Sequence, residues 1–214
     1  QDLAPRFLEP SELIHNMYPM LKRVLGEDIT FTMNLLDSYT KIRIDPGQVD
    51  QILMNLVVNA RDAMPQGGVI DITEKEVAVA DIPDAIDFQI TIGQSTYYAL
   101  SVKDTGGGMD DEVLEHIFEP FYTTKAPGSG TGLGLSTVFG IVKQSGGMIH
   151  VESTVGEGTT VTLYFPVVDA VMTEEDTQAV MPVSVESLQG LKILVVDDEP
   201  GIGKYAKMIL EKHG

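Results

Sequence analysis

The sequence predicts an α+β two-layer sandwich, with helices packed on one face of a mixed sheet. Three observations lead there. Helical and strand segments are mixed without the strict alternation of a doubly wound fold. Two helical segments carry a broad apolar stripe of the kind that lies against a sheet. Apolar residues make up 43% of the 214 positions and charged residues 21%, with no low-complexity bias, which is enough for a real core.

Each element has its own justification. Residues 11–25 place Ile14, Met17, Leu21, Val24 and Leu25 on one helical face, with Ser11 as candidate N-cap and Gly26 as the stop. Segments 29–35 and 41–44 alternate and are expected to pair as a hairpin. Pro46 opens a second helix over 47–64, closed by Pro65 and the Gly67–Gly68 pair. Segments 69–80 and 97–103 read as strands, separated by a polar loop around Pro83 and Asp84. From Thr105 to Gly134 glycines break every period, and so long an irregular stretch inside a compact domain is either functional or disordered. A helix over 135–144 and a hairpin of 148–154 with 159–167, turning at Gly156–Glu157–Gly158, complete the domain. Residues 169–189 are acidic and aperiodic, as in a linker. Leu191–Val196 is then an apolar strand running into Asp197–Asp198–Glu199–Pro200 and a short helix.

Composition excludes several function classes. Without cysteine there is no disulfide, zinc ribbon, iron–sulfur cluster or thiol nucleophile. Fourteen basic against 32 acidic residues give a net charge of −18, a field that repels nucleic acid and anionic membrane. A small anionic ligand remains compatible, because magnesium and aimed backbone amides invert the field locally. No apolar run reaches a membrane span and Gln1 begins no signal peptide, so a cytoplasmic location is expected, with any membrane anchor belonging to a longer parent.

Three constellations carry chemistry. On the helix 47–64, Val49, Ile52, Leu53, Leu56, Val57, Ala60 and Met64 form the core stripe, and Gln51, Asn55, Asn59 and Asp62 form a narrow polar stripe beside it. Asparagine is a mediocre helix former, so two of them at i and i+4 on the border of a buried face cost stability, whether they line a cavity or only a solvated edge. Next, Leu100, Val102 and Asp104 share a strand face, so a carboxylate ends a buried row and needs donors; a purine's exocyclic amine is one, and Gly106–Gly108 would let a flat ring approach. A plain turn after a strand reads the same way. Third, Gly128-Ser-Gly-Thr-Gly-Leu-Gly134 exposes backbone N–H groups before a helix, a cradle for phosphates. It is neither a Walker A loop nor a dinucleotide fingerprint, since no Gly-Lys-Ser/Thr follows and no strand leads in.

In order, NLVVNARDAM (55–64), DTGGGM (104–109), IFEPFYTTK (117–125), GTGLGL (130–135) and GEGTT (156–160) resemble the N, G1, F, G2 and G3 boxes of the ATP-binding domain of sensor histidine kinases, whose fold is shared with gyrase and Hsp90 ATPases. The resemblance covers about residues 11–167. It implies that Asn59 ligates the magnesium of Mg-ATP, that Asp104 reads adenine, and that Gly106 and Gly108 flank the ring with Thr159 near it. Gly130, Gly132, Gly134 and Leu135 would belong to a mobile lid over the triphosphate, with Lys125 a phosphate partner. Gyrase-like relatives have a water-activating glutamate where this chain has Asn55, an amide that cannot act as a base. Phosphoryl transfer to a protein group is therefore expected over free ATP hydrolysis; a gyrase/Hsp90-type ATPase and a non-catalytic nucleotide-binding scaffold are the rivals. Gly107 is smaller than the residue usual at that place, so a looser loop is expected.

The tail Gly190–Pro200 is similar to the opening of a response-regulator receiver domain, which implies a hybrid kinase. Asp197 and Asp198 would be its magnesium-binding acids, lacking a third ligand here. His15, His116, His150 and His213 lack the neighbours of a phosphoacceptor histidine, so the acceptor is expected on a separate dimerisation domain. The expected organisation is a link at 1–10, the ATP-binding domain at 11–168, the linker at 169–189 and a receiver fragment at 190–214, whose apolar strand is a candidate for self-association. Partners implied are ATP and the dimerisation and receiver domains of the same protein.

Overall fold

In a computed structural model, residues 4–83, 95–125 and 130–168 are described, so the expected linker, the receiver fragment and its Asp197 and Asp198 lie outside the described residues. Five strands form one mixed sheet in the order β2-β4-β5-β7-β6, from β2 (Ile29–Asn34), β4 (Gly68–Ala78), β5 (Thr96–Asp104), β6 (Met148–Thr154) and β7 (Gly158–Pro166). The β2–β4 pair is parallel and the other three are antiparallel. Helices α1 (Pro10–Leu25), α2 (Pro46–Asp62) and α4 (Gly134–Gln144) share one core with the sheet, α2 lying between the other two.

The apolar stripes predicted for α1 and α2 are the ones buried. Ile14, Leu21, Leu53 and Val57 are fully enclosed, against Ile70 and Ile72 of β4 and Leu100 and Val102 of β5. Strand alternation sends Tyr97 and Ala99 to the opposite face, where they meet Ile82, Met148 and Tyr164 in a second, smaller cluster.

Four local expectations are corrected. Helix α1 starts one residue early: Pro10 occupies its first turn, where a missing N–H costs nothing, and Ser11 is no cap. Segments 29–34 and 42–44 are strands but not a hairpin. Strand β2 pairs with β4, and β3 (Ile42–Ile44) pairs with β1 (Arg6–Leu8), a strand within the segment read as a link. The reason lies on β4, where the Glu74 carboxylate accepts the Leu36 N–H at 2.8 Å and Glu76 accepts the Thr40 hydroxyl, drawing the connecting loop over the sheet's end. Finally, Asp111–His116 forms a short helix, α3, inside the glycine-rich stretch, capped by Asp110 on the Val113 N–H.

Glu74 is a buried carboxylate on the helix-facing side of the sheet, and its donors come from three elements. Besides Leu36 it accepts Ser11 Oγ–H at 2.6 Å and Tyr98 Oη–H at 2.5 Å, tying α1, the loop after β2 and β5 to β4. Burial and this carboxylate push the Tyr98 phenol well above its ordinary pKa. A hydrogen bond to a charged group contributes about 1.5–3 kcal/mol, so Tyr98→Phe should lower unfolding stability by that amount in urea, and Glu74→Ala by more. Unchanged midpoints in both variants would contradict this account of the cluster.

Candidate functional site

A cavity of about 790 Å³ opens between α2, the end of β5 and the segment leading into α4. Its walls combine apolar side chains (Leu56, Val102, Met109, Ile117, Val161) with the polar stripe of α2, namely Gln51, Asn55, Asn59 and Asp62. That volume and mixture suit a ligand the size of a nucleotide. The stripe is therefore a cavity wall rather than a solvated edge.

Asp104 ends the inward-facing row of β5 and is 6% exposed. The Gly106 N–H at 2.8 Å and the Thr159 N–H at 3.3 Å both donate to its Oδ1. Among the described residues Oδ2 carries no hydrogen bond, and the residue lines the cavity. Burial raises the carboxyl above the usual carboxylate range, and the two amides pull it back only in part. A buried acceptor with one free oxygen is matched by an N–H donor of a bound heterocycle.

The turn after Asp104 is held from both sides. The Gly107 N–H donates to the Ala63 carbonyl at 3.1 Å, and its own carbonyl accepts the Gly156 N–H at 2.8 Å. The loop expected to be loose is pinned by backbone, not by side-chain bulk. Gly108 has φ +65° and faces the Thr154 carbonyl, so a Cβ there would overlap backbone; Gly158 stands in the same relation to the Asp104 carbonyl. Met109 N–H also donates to Ser153 Oγ at 2.8 Å. The turns after β5 and β6 thus interlock.

On the other side, α4 begins at Gly134 against the two asparagines. A Cβ on Gly134 would stand 3.2 Å from the Asn59 amide nitrogen and 3.8 Å from the Asn55 amide oxygen. The unpaired N–H groups of an α-helix's first turn carry partial positive charge, so this corner favours an anion. Lys125 lines the same cavity, beside Gly130, with its Nζ 2.7 Å from Asp62 Oδ2. Two side-chain amides, an ammonium, a helix N-terminus and a buried carboxylate thus line one cavity.

Of the residues singled out in the sequence, Asn55, Asn59, Asp104, Gly108, Lys125, Gly130, Gly132, Gly134, Leu135 and Thr159 all line this cavity. Gly106 lies behind the wall, packed on Ala63 and Asp104. Sequence reasoning missed Thr123, Thr124, Tyr122 and Thr131 as lining residues, although the first three fall inside the 117–125 motif and Thr131 inside the 130–135 motif. The sequence also gave no sign that Phe121, 75% exposed with φ 70°, would bond its N–H to the Gly132 carbonyl at 2.9 Å.

The interlock is testable by one methyl group at adjacent positions. A Cβ on Gly107 meets nothing, so Gly107→Ala should shift unfolding stability by no more than about 0.5 kcal/mol. Gly108→Ala should cost more than about 1 kcal/mol, because it adds strain at positive φ to the overlap. Equal melting temperatures for the two variants would contradict the interlock.

Comparison with known proteins bears on the same residues. The family model for histidine kinase-, DNA gyrase B- and HSP90-like ATPases matches residues 44–169. The chain is 36% identical over 219 residues to sensor kinase CckA of Brucella abortus, covering 100% of this chain and 23% of that protein. It spans about a quarter of the length of the curated relatives it matches. Among solved structures, the nucleotide-free catalytic domain of histidine kinase ThkA aligns with TM-score 0.58 and 28% identity over 76% of this chain and 95% of that one. Full-length ShkA in complex with AMPPNP aligns with TM-score 0.60 and 22% identity over 100% of this chain and 39% of that one, a likeness of fold. With the family match running from β3 to the end of β7 and taking in all of α2 and every described wall of the cavity, this chain belongs to the histidine kinase-, DNA gyrase B- and HSP90-like ATPase family.

Proposed function

We propose that this chain is the ATP-binding catalytic part of a sensor histidine kinase, and that the cavity holds Mg-ATP for transfer of its γ-phosphoryl group to a histidine on a dimerisation domain. The observation that carries the reading is the single cavity that joins Asp104 to Asn55, Asn59, Lys125 and the start of α4. Relatives named as sensor kinases support it.

Bound Mg-ATP would supply the transferable phosphoryl group, with the metal neutralising charge on the phosphates. The residues of this chain bind and orient. Asp104 Oδ2 would accept from the adenine amino group while Gly106 and Thr159 fix the carboxylate from behind. Thr159 and Gly108 line the wall beside it. Asn59 would offer its amide oxygen to magnesium, Lys125 its ammonium to phosphate, and the turn Gly130–Leu135 its N–H groups. Asn55 has no proton-accepting group, so water in the cavity is not activated by it. Catalysis then rests on positioning and charge stabilisation, and turnover waits for a protein acceptor.

The hybrid arrangement is part of the same proposal: residues 169–189 as linker and 190–214, with Asp197 and Asp198, as the start of a receiver. A cytoplasmic location belongs here too; no described helix is long and apolar enough to cross a membrane.

The decisive assay mixes the chain and γ-labelled ATP with the histidine-bearing two-helix domain of its own protein. Acid-labile label should appear on that domain and not on this chain; fast phosphate release with no acceptor would favour the ATPase reading. Asp104→Ala should weaken ADP binding by roughly ten- to a hundredfold in calorimetry and remove the preference for adenine over guanine, since it deletes a hydrogen bond to a charged group. Unchanged ADP affinity would place the base elsewhere.

A further inference from the structure

Asp62 stands at the end of the polar stripe of α2 and lines the cavity, yet no part of the nucleotide reading uses it. Its two oxygens are divided between two cations. Oδ1 accepts from Arg61, Nη2 at 2.7 Å and Nε at 3.1 Å, and Oδ2 accepts from Lys125 Nζ at 2.7 Å. Burial pushes the Asp62 carboxyl up, but the hydrogen bonds and charges of Lys125 and Arg61 outweigh it and hold it below the usual carboxylate range, so it is a carboxylate at neutral pH. Arg61 is itself tied to the Val24 carbonyl of α1, at 3.4 Å, which fixes the carboxylate to the helical layer. Lys125, in contrast, belongs to the segment between α3 and α4 and reaches 63 residues back along the chain to make this bond.

We infer that Asp62 is a positioning residue that parks Lys125 at the cavity mouth and competes with ligand phosphates for it, so that it sets how strongly the site responds to phosphate number. The inference rests on the nucleotide reading of the cavity. In the parked pair the lysine's charge is neutralised, and a phosphate group must first draw Nζ away from Oδ2. The pair is partly exposed, with side chains 32% and 25% accessible, so the interaction to be broken is modest. The chain as a whole is acidic, and Asp62 adds a further negative charge beside the corner where α4 begins. Release of Lys125 therefore has two opposed effects, an ammonium gained by the phosphates and a carboxylate left less neutralised near them.

Calorimetry on the full chain with adenosine, ADP and AMPPNP separates the possibilities. Asp62→Asn keeps the shape and removes the charge. It should tighten AMPPNP about two- to fivefold, tighten ADP less, and leave adenosine unchanged. In a Lys125→Met background the same substitution should produce no gain, since the competition has lost its object. An equal gain with and without Lys125 would overturn the inference in favour of simple repulsion by the carboxylate. Weaker AMPPNP binding by Asp62→Asn would also overturn it, showing that the carboxylate supports the lysine in its phosphate-bound position. Adenosine affinity equal to wild type reports an intact fold in each variant. If wild type bound none of the three ligands, the nucleotide reading itself would fail, a result distinct from both.

Discussion

Two turns, one after β5 and one after β6, meet backbone to backbone, and the floor of the cavity depends on that contact. Gly108 abuts the Thr154 carbonyl and Gly158 abuts the Asp104 carbonyl, with no room for a side chain at either crossing. The contact brings the Thr159 N–H to the Asp104 carboxylate and the Gly156 N–H to the Gly107 carbonyl. A buried carboxylate is costly unless it has donors, and here the donors are main-chain groups whose positions are fixed by strand register. Asp104 is thus held with one oxygen satisfied and, among the described residues, one free because the sheet's antiparallel ladder β5–β7–β6 delivers both turns to the same end. The helical layer closes the arrangement from above, where the Ala63 carbonyl at the end of α2 takes the Gly107 N–H.

Charge sets the second constraint. A chain of net charge −18 repels a polyphosphate at long range, so under the proposed reading the site has to be favourable at short range. The groups that could do this line one cavity: the first turn of α4 with the amides of Asn55 and Asn59 against it, and the ammonium of Lys125. Fixed dipoles and amides need no reorganisation when a ligand arrives, whereas Lys125 does, because it is engaged by Asp62. The cavity therefore contains a preorganised part and an adjustable part.

What was legible in the sequence was local or periodic. The stripe on α2 follows from a 3.6-residue period, and the same helical geometry that buries Leu53 and Val57 turns Asn55 and Asn59 to the cavity. The glycines after Asp104 read as room for a flat ring, whereas the close approach that Gly108 makes is to the Thr154 carbonyl. What was not legible depends on partners far along the chain. Alternation identified β2 and β3 as strands but could not show that Glu74 and Glu76 of β4 would hold the loop between them while the two strands take different partners. The segment Arg6–Leu8 is too short to announce itself, and becomes a strand only because Ile42–Ile44 is there to pair with it. Asp62 was visible as a polar stripe residue, but its bond to Lys125 joins helix and loop across 63 positions and leaves no mark in local pattern.

The central claim is that one cavity takes base and phosphates together, the base at Asp104 and the phosphates where α4 meets α2. The most direct test is a titration of the 15N-labelled chain with Mg-ADP, followed by amide chemical shifts. Saturable shifts should appear together at Gly106–Gly108 and Thr159, at Asn55 and Asn59, and at Gly132–Leu135, with one common dissociation constant. Saturable shifts confined to surfaces outside these three groups, or fitted by different constants for the first and last, would contradict a single nucleotide site.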